Sequence, residues 1–211
     1  MRIGLHSIFL ARENILFLRE WIIYHKALGV DKFYLYDNTG SKKASGSQNR
    51  SKHLKIGSVN KYNVDYGKVV PWSDLEVERK LREICSEFGP AVVLRKWQPR
   101  NAAGVQVHGQ VRGHADCLRR HGNEIDWLGV LDLDEWLYLA DGNLKEYLKS
   151  QPDDVSCIQL TQKKMANRFR HLDKNVTEIT HTKNMIEHNG WKNIFRPSKT
   201  DKLDVHLWRG S

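Results

Sequence analysis

An apolar run leads directly into a cluster of acids in the segment Leu128-Gly129-Val130-Leu131-Asp132-Leu133-Asp134-Glu135-Trp136-Leu137. The apolar part predicts a strand that is buried on both faces, as in the middle of a parallel sheet. In extended backbone, Asp132 and Asp134 lie two residues apart and therefore point to the same side of that sheet. Two such carboxylates repel each other unless a cation lies between them. The segment therefore predicts either a Mg²⁺ or Mn²⁺ site at the carboxyl edge of a sheet, or acids that serve only as turn and helix-cap residues.

The sequence on either side of this segment alternates between strand and helix patterns. Residues 2–10 and 32–36 predict two strands, joined by a helix that Asn14 caps and Gly29 ends. Such short connections predict parallel strands with a right-handed crossover. Further strands are expected at residues 91–94, 127–131, 155–160 and 176–182, and helices at residues 73–88, 105–120 and 143–148. This alternation predicts an α/β fold in a single domain.

The composition is that of a globular protein. Of the 211 residues, 40% are hydrophobic and 28% are charged, which excludes disordered, collagen-like and coiled-coil chains. No apolar run reaches the ~18–20 residues that span a membrane, and the first residues lack the features of a signal peptide. The net charge of +9 either attracts a polyanion, such as nucleic acid, an anionic membrane or a nucleotide pyrophosphate, or simply maintains solubility. Three cysteines without a CxxC pair predict buried, reduced thiols in a reducing compartment.

Two further polar residues are candidates for a binding site. Asp37 ends the second predicted strand, where it either closes an Asx turn with Asn38 and Gly40 or accepts hydrogen bonds from a base or a ribose. His206 lies between apolar neighbours near the end of the chain. Such a histidine is either a core residue or a further ligand for Mn²⁺.

At this point the chain resembles the GT-A glycosyltransferases, in their family-2-like and family-92-like branch. The resemblance covers most of the chain in the order of the family's blocks: residues 11–25, 28–38, 110–118, 127–137 and 192–197, together with His206. It extends to the amino-terminal domain of glycosyltransferases encoded by chlorella viruses. It implies one GT-A domain over residues 1–211, with a mostly parallel central sheet flanked by helices, cut from a longer polypeptide.

The resemblance implies a donor site for a nucleotide sugar. Asp37 would read the uracil or ribose of a UDP-sugar, and the backbone of Leu10, Ala11 and Arg12 would line the base pocket. Arg112 and His114 would lie near the donor sugar.

The resemblance also implies a metal and phosphate site. Asp132 would contact the ribose or the metal, while Asp134 and His206 would hold Mn²⁺ or Mg²⁺ on the diphosphate. Glu135, next to Asp134, would be close to the chemistry, or would instead hydrogen-bond the active-site backbone. Either of two basic residues would neutralise phosphate charge or else lie on a solvated strand face: Lys192 and Arg196.

The function implied is metal-dependent transfer of a hexose or deoxyhexose from a UDP-sugar to a glycan hydroxyl. The expected donor is UDP-glucose or a UDP-deoxyhexose such as UDP-rhamnose, and the expected protein is a monomer without a membrane span, located in the cytoplasm (of the host, if viral). Two alternatives remain open. A nucleotidyltransferase would use the same acid pair but favours a glycine-rich loop after the first strand, and residues 11–14 contain no glycine. A nucleic-acid-binding module predicts a clustered basic face or a recognition helix, and neither is visible.

Overall fold

The computed structural model describes residues 1–41, 70–140, 142–165, 185–200, 202–203 and 208–209. Over these residues the chain is a mixed α/β protein built around one six-stranded sheet. The strands of this sheet are β1 (Ile3–Phe9), β2 (Lys32–Asp37), β3 (Val92–Lys96), β4 (Trp127–Val130), β5 (Cys157–Met165) and β6 (Met185–Phe195). The α-helices of the described residues are α1 (Ala11–Asn14), α2 (Leu18–Ala27), α3 (Asp74–Glu87), α4 (Gln110–His121) and α5 (Leu144–Lys149). Two short strands, β7 (Lys202–Leu203) and β8 (Trp208–Arg209), form a separate antiparallel pair.

The sheet has the strand order β3-β2-β1-β4-β6-β5. The first four strands in this order are parallel, as the β1–helix–β2 pattern predicts. β6 runs antiparallel to β4, and β5 runs antiparallel to β6. β4 is therefore the last parallel strand rather than the middle of a parallel sheet, which corrects the sequence-based expectation. An apolar run shows that both faces of a strand are covered but not the direction of its neighbours.

Two hydrophobic clusters cover the two faces of the sheet. All seven residues of β1 are buried, so its side chains contribute to both clusters. On one face α2 and α3 pack against the sheet, and on the other face α4 does so. Gly129 allows β4 to lie close to β1, since a Cβ at this position would be 2.6 Å from Leu5 Cδ2.

The predicted helices are present, but two of them begin at other residues than expected. Asn14 does not cap α2, because its side-chain amide donates to the Leu10 carbonyl (2.9 Å) and closes the short helix α1 instead. Gly29 ends α2 with a φ of +108°, as expected. α4 starts at Gln110 rather than near residue 105, because Gly109 holds a φ of +59° just before it. The strand expected at residues 176–182 lies outside the described residues.

No helix in the described ranges combines the length and the apolar character that crossing a bilayer requires. The three cysteines are free thiols, with Cys85 and Cys117 buried in the core.

Candidate active site at the carboxyl edge of the sheet

The parallel strands bring the ends of distant segments to one edge of the sheet. β1, β2, β3 and β4 all end there, and the antiparallel β6 passes this edge shortly before it ends, since its residue Asn193 pairs with Val130. In an open α/β sheet this carboxyl edge is where ligands bind. The polar residues that follow the strands therefore define the candidate site.

The end of β2 is held against the end of β1 by hydrogen bonds. The Asn38 amide donates to the Phe9 carbonyl (2.8 Å), and the Ala11 amide donates to Thr39 Oγ1 (2.9 Å). Asp37 Oδ1 accepts from the Thr39 amide at 2.9 Å, which is the Asx turn that the sequence left as one alternative. The structure thus brings the segment from Leu10 onward next to Asp37.

A cavity of about 220 Å³ opens beside Asp37, between α3 and the ends of β2 and β3. Its wall contains the apolar side chains of Leu81 and Leu94. Glu78 accepts from Arg82 at 2.8 Å and lies 3.7 Å from Lys96 Nζ, so the charged part of the wall is neutralised internally. Four of the six lining residues are charged and two are leucines, so the cavity is more polar than most small-molecule sites.

Arg12 fastens α1 to the start of α3. Its guanidinium donates to the Val70 carbonyl (2.8 Å) and to Asp74 Oδ1 (2.6 Å). The Arg12 side chain therefore supports the wall of the carboxyl edge, while the backbone of residues 10–12 lies beside Asp37.

The acidic segment after β4 forms a turn instead of continuing as a strand. The Glu135 amide donates to the Asp132 carbonyl at 3.0 Å, and β4 has already ended at Val130. The extended backbone expected from Asp132 to Asp134 is therefore wrong, and the turn, which the sequence left as the alternative for these acids, is present. Asp134 is exposed, and the side chain of Asp132 is 45% exposed.

Lys192 lies between two of the predicted acids. Its ammonium is 2.9 Å from Asp132 Oδ2 and 3.0 Å from Glu135 Oε2, and its side chain is only 8% exposed. Glu135 Oε2 also accepts from the Asp132 amide at 2.9 Å, and Gln162 donates to Glu135 Oε1 at 2.6 Å. We call Lys192, Asp132 and Glu135 the acid–lysine triad. Glu135 uses both oxygens in these bonds and so hydrogen-bonds the active-site backbone, the second of the two roles expected for it, while its catalytic role stays a prediction.

The triad carries one net negative charge when both acids are ionised. Burial raises the pKa of Glu135, and the neighbouring Asp132 carboxylate raises it further, while Lys192 opposes both. Burial acts to lower the pKa of Lys192, but the two carboxylates outweigh it and raise the pKa above its usual value. Lys192 is therefore protonated at neutral pH, and the triad retains an affinity for a further cation.

Three side chains of α2 hold the backbone that follows the acidic turn. Trp21 Nε1 donates to the Glu135 carbonyl (2.8 Å), and the Tyr24 hydroxyl donates to the Leu137 carbonyl (2.6 Å). His25 Nε2 accepts from the Leu137 amide at 3.2 Å. The sequence analysis did not identify these residues. Their spacing of three and four places, which puts all three on one face of α2, is the signal that could have found them.

Three further residues predicted for the site are not placed at the acidic turn by the described structure: His114, Arg112 and His206. His114 is buried, with its ring centroid 5.1 Å from that of His6, and its role near the donor sugar stays a prediction. Arg112 is exposed on the first turn of α4 and donates to the Arg100 carbonyl (3.3 Å). His206 lies outside the described residues, within which no three histidine, cysteine or acidic side chains are grouped as metal ligands. The full ligand set of Asp132, Asp134 and His206 therefore stays a prediction.

Arg196 is at the opposite edge of the sheet, which corrects its placement in the donor site. It follows the end of β6, and Phe195 pairs with Leu128 near the start of β4. Its guanidinium donates to the Val155 carbonyl (2.9 Å) and lies over the Trp127 ring at 4.3 Å. The expectation fails because β6 is antiparallel, so that Lys192 and Arg196, four residues apart, lie towards different edges.

Comparison with known proteins identifies one family. The profile of Glycosyltransferase family 92 matches residues 58–210. A glycosyltransferase family 92 protein of Ricinus communis is 23% identical over 200 residues, which cover 90% of this chain and 28% of the relative. Proteins of the same family from Arabidopsis thaliana and from Oryza sativa subsp. japonica are 28% and 25% identical over 58% and 66% of this chain, and over 14% and 17% of those relatives. The chain therefore spans less than a third of the length of the curated relatives that it matches.

Proposed function

Because the chain belongs to glycosyltransferase family 92, we propose that it transfers a sugar from a UDP-sugar to a hydroxyl of a glycan, with Mn²⁺ or Mg²⁺ bound at the acidic turn. We propose further that the fold is of the GT-A type and that the donor is UDP-glucose or a UDP-deoxyhexose such as UDP-rhamnose. One observation carries the proposal. The acidic turn after β4 and the cavity beside Asp37 lie at the same edge of the sheet, where β4, β1 and β2 are neighbours.

The nucleoside half of the donor is assigned to the β2 end of this edge. Asp37 is 8% exposed and lines the cavity together with Leu81 and Leu94. The partly exposed Leu94 side chain suits the face of a planar base, and the Asp37 carboxylate suits a donor N–H of uracil or a ribose hydroxyl. The role of the backbone at residues 10–12 is to close the base pocket from the side of β1.

The diphosphate half is assigned to the β4 end. Carboxylate oxygens are the ligands that Mg²⁺ and Mn²⁺ prefer, and the exposed Asp134 at the turn offers them to solvent. Asp134 would hold the ion, with Asp132 and His206 as the further ligands. When bound, the dication stabilises the negative charge that develops on the departing diphosphate.

The protein's own part in this reaction is to orient the acidic turn. The bonds from α2 to the Glu135 and Leu137 backbone and the acid–lysine triad hold the turn from two sides. A turn held in this way needs little reorganisation when the donor binds, which is the general basis of electrostatic catalysis by a preorganised site.

The test is a panel of UDP, GDP and dTDP, titrated into the protein by calorimetry with Mn²⁺ and with EDTA. We expect UDP with Mn²⁺ to bind most tightly and Asp134→Ala to weaken that binding by about 100-fold, a loss of about 3 kcal/mol. Asp126→Ala is the matched control, because Asp126 is an exposed acid whose described hydrogen bond is from the Arg2 amide. Binding that is unchanged in Asp134→Ala would show that the metal site is wrong. Absence of UDP binding in the wild-type protein would overturn the proposed donor.

A further inference from the structure

We propose that Lys192 is a positioning residue of the proposed transfer reaction, which holds one oxygen of Asp132 so that Asp132 serves the donor or the metal with its other oxygen alone. The inference rests on the proposed function, because it concerns the same acidic turn. It assigns Lys192 to the protein's own acids rather than to the donor phosphates.

The ammonium of Lys192 lies behind the two acids and away from the open site. Lys192 Nζ lies within 3.0 Å of a carboxylate oxygen of Asp132 and of Glu135, and the side chain is 8% exposed. To reach a phosphate in the open site it would have to give up two charge-assisted bonds, each typically among the stronger hydrogen bonds in proteins. Asp132, by contrast, is 45% exposed and lies between the ammonium and solvent. The cation is thus inside and the acid faces the site.

Burying the charge of Lys192 costs free energy, which its acidic partners must compensate. A buried ammonium is stable only when its charge is compensated by well-placed acceptors. Glu135 supplies one of them and is itself fixed by Gln162 at 2.6 Å and by the Asp132 amide at 2.9 Å. Asp132 is therefore held twice, through its backbone amide by Glu135 and through Oδ2 by Lys192. If Lys192 and Glu135 served stability alone, there would be no need for both of them to bind Asp132.

The strand order of the sheet also places Lys192 at the acidic turn. β6 is antiparallel to β4, and Asn193 pairs with Val130, which places Lys192 opposite the residues that leave β4. On the other side of β6, Lys192 is the register partner of Leu160 of β5. Lys192 therefore fixes the acidic turn relative to the two antiparallel strands. A hydrophobic residue at position 192 could not form the ion pairs that do this.

The experiment compares Lys192→Met and Lys192→Arg by calorimetry with UDP, in Mn²⁺ and in EDTA, alongside thermal unfolding of each variant. We expect Lys192→Met to weaken UDP binding by about tenfold or more in Mn²⁺ and to leave the weaker binding in EDTA unchanged. Lys192→Arg keeps the charge and should recover part of the loss. Lys145→Met is the matched control, because Lys145 forms an ion pair with Asp31 elsewhere in the molecule. It should lower the unfolding temperature without changing either UDP affinity.

Gln162→Met provides a second variant if Lys192→Met does not fold. Among the described residues it removes the bond from Gln162 to Glu135, and it should weaken Mn²⁺-dependent binding by a few fold in the same direction. Equal losses in Mn²⁺ and in EDTA would show that Lys192 contacts the phosphates and would overturn the inference, as would wild-type affinity in the foldable variants. Failure of the wild-type protein to bind UDP in Mn²⁺ would overturn the proposed function, and its dependent inference with it.

Discussion

Arg196 at the amino edge of the main sheet and the acid–lysine triad at its carboxyl edge have their charges satisfied in different ways. At the amino edge, Arg196 donates to main-chain carbonyls such as that of Val155, and Asp126 accepts from the Arg2 amide. At the carboxyl edge, charged side chains contact one another, as in the acid–lysine triad, and Asp134 stands exposed at the turn. Charges that meet fixed backbone groups stabilise the fold, whereas acids gathered around one lysine leave negative charge in excess.

This difference separates structural from functional charge within one domain. A guanidinium bonded to carbonyls and lying on an indole ring needs no ligand to be satisfied. Two carboxylates on one ammonium keep a net negative charge, which a divalent ion at the same place would offset. We therefore expect substitution of Arg196 to change the free energy of unfolding and substitution of the acids of the turn to change ligand binding.

Lowering the pH should produce the largest effect on stability, because it protonates His25, which binds the backbone that follows the acidic turn. Burial lowers the pKa of His25 from 6.5 to about 4. The unfolded chain therefore takes up a proton near pH 6.5 and the folded chain only near pH 4, so the contribution is complete above pH 6.5 and is lost as the pH falls towards 4. The loss is about 3 kcal/mol, and protonation of Nε2 also removes the acceptor for the Leu137 amide.

Urea unfolding at several pH values between 7 and 4, in the wild type and in His25→Gln, measures this contribution. The comparison between the two proteins is needed because burial lowers the pKa of His6 to about 4 as well, which adds a slope of the same sign. The variant should lack about 3 kcal/mol of the wild-type pH dependence. Identical pH profiles would show that His25 does not stabilise the loop by remaining neutral.

Arg196→Met should give the next largest effect, and it tests the amino edge directly. Methionine keeps much of the aliphatic volume but loses the bonds to the carbonyls of Val155 and Pro152 and the contact with Trp127. We expect a loss of about 2 kcal/mol in the free energy of unfolding and no change in the affinity for UDP with Mn²⁺. Asp134→Ala should show the reverse combination. Weaker UDP binding at unchanged stability in Arg196→Met would restore Arg196 to the donor site.

Local patterns in the sequence were sufficient for the elements that close within a few residues. The apolar runs of β1 and β2, with Gly29 between them, predicted the parallel pair that the structure contains. The Asx turn of Asp37 was among the expected alternatives because it needs only the Thr39 amide. Such features depend on neighbours in the chain, which a single sequence displays.

The composition of the acid–lysine triad was not predictable in this way. Lys192 and Asp132 are 60 residues apart, and their contact depends on β6 being antiparallel to β4. An apolar run does not encode the direction of the next strand, so Lys192 and Arg196 could not be separated from the sequence. The turn from Asp132 to Glu135 was one of the two alternatives, and the pattern could not decide between them because it did not show that the strand ends at Val130.

The helix cap at Asn143 should give the smallest effect, and it tests whether the amino edge responds in small, independent steps. Asn143 Oδ1 accepts from the amides of Lys145 (2.9 Å) and Glu146 (3.3 Å) at the start of α5. Asn143→Ala should lower the free energy of unfolding by about 1 kcal/mol, and Asn143→Asp should retain the cap. Urea unfolding of both variants and of the double variant Asn143→Ala/Arg196→Met gives the measurement. The two losses should add, because the structure describes no contact between these side chains. A combined loss well above the sum would show that the amino edge unfolds as one unit.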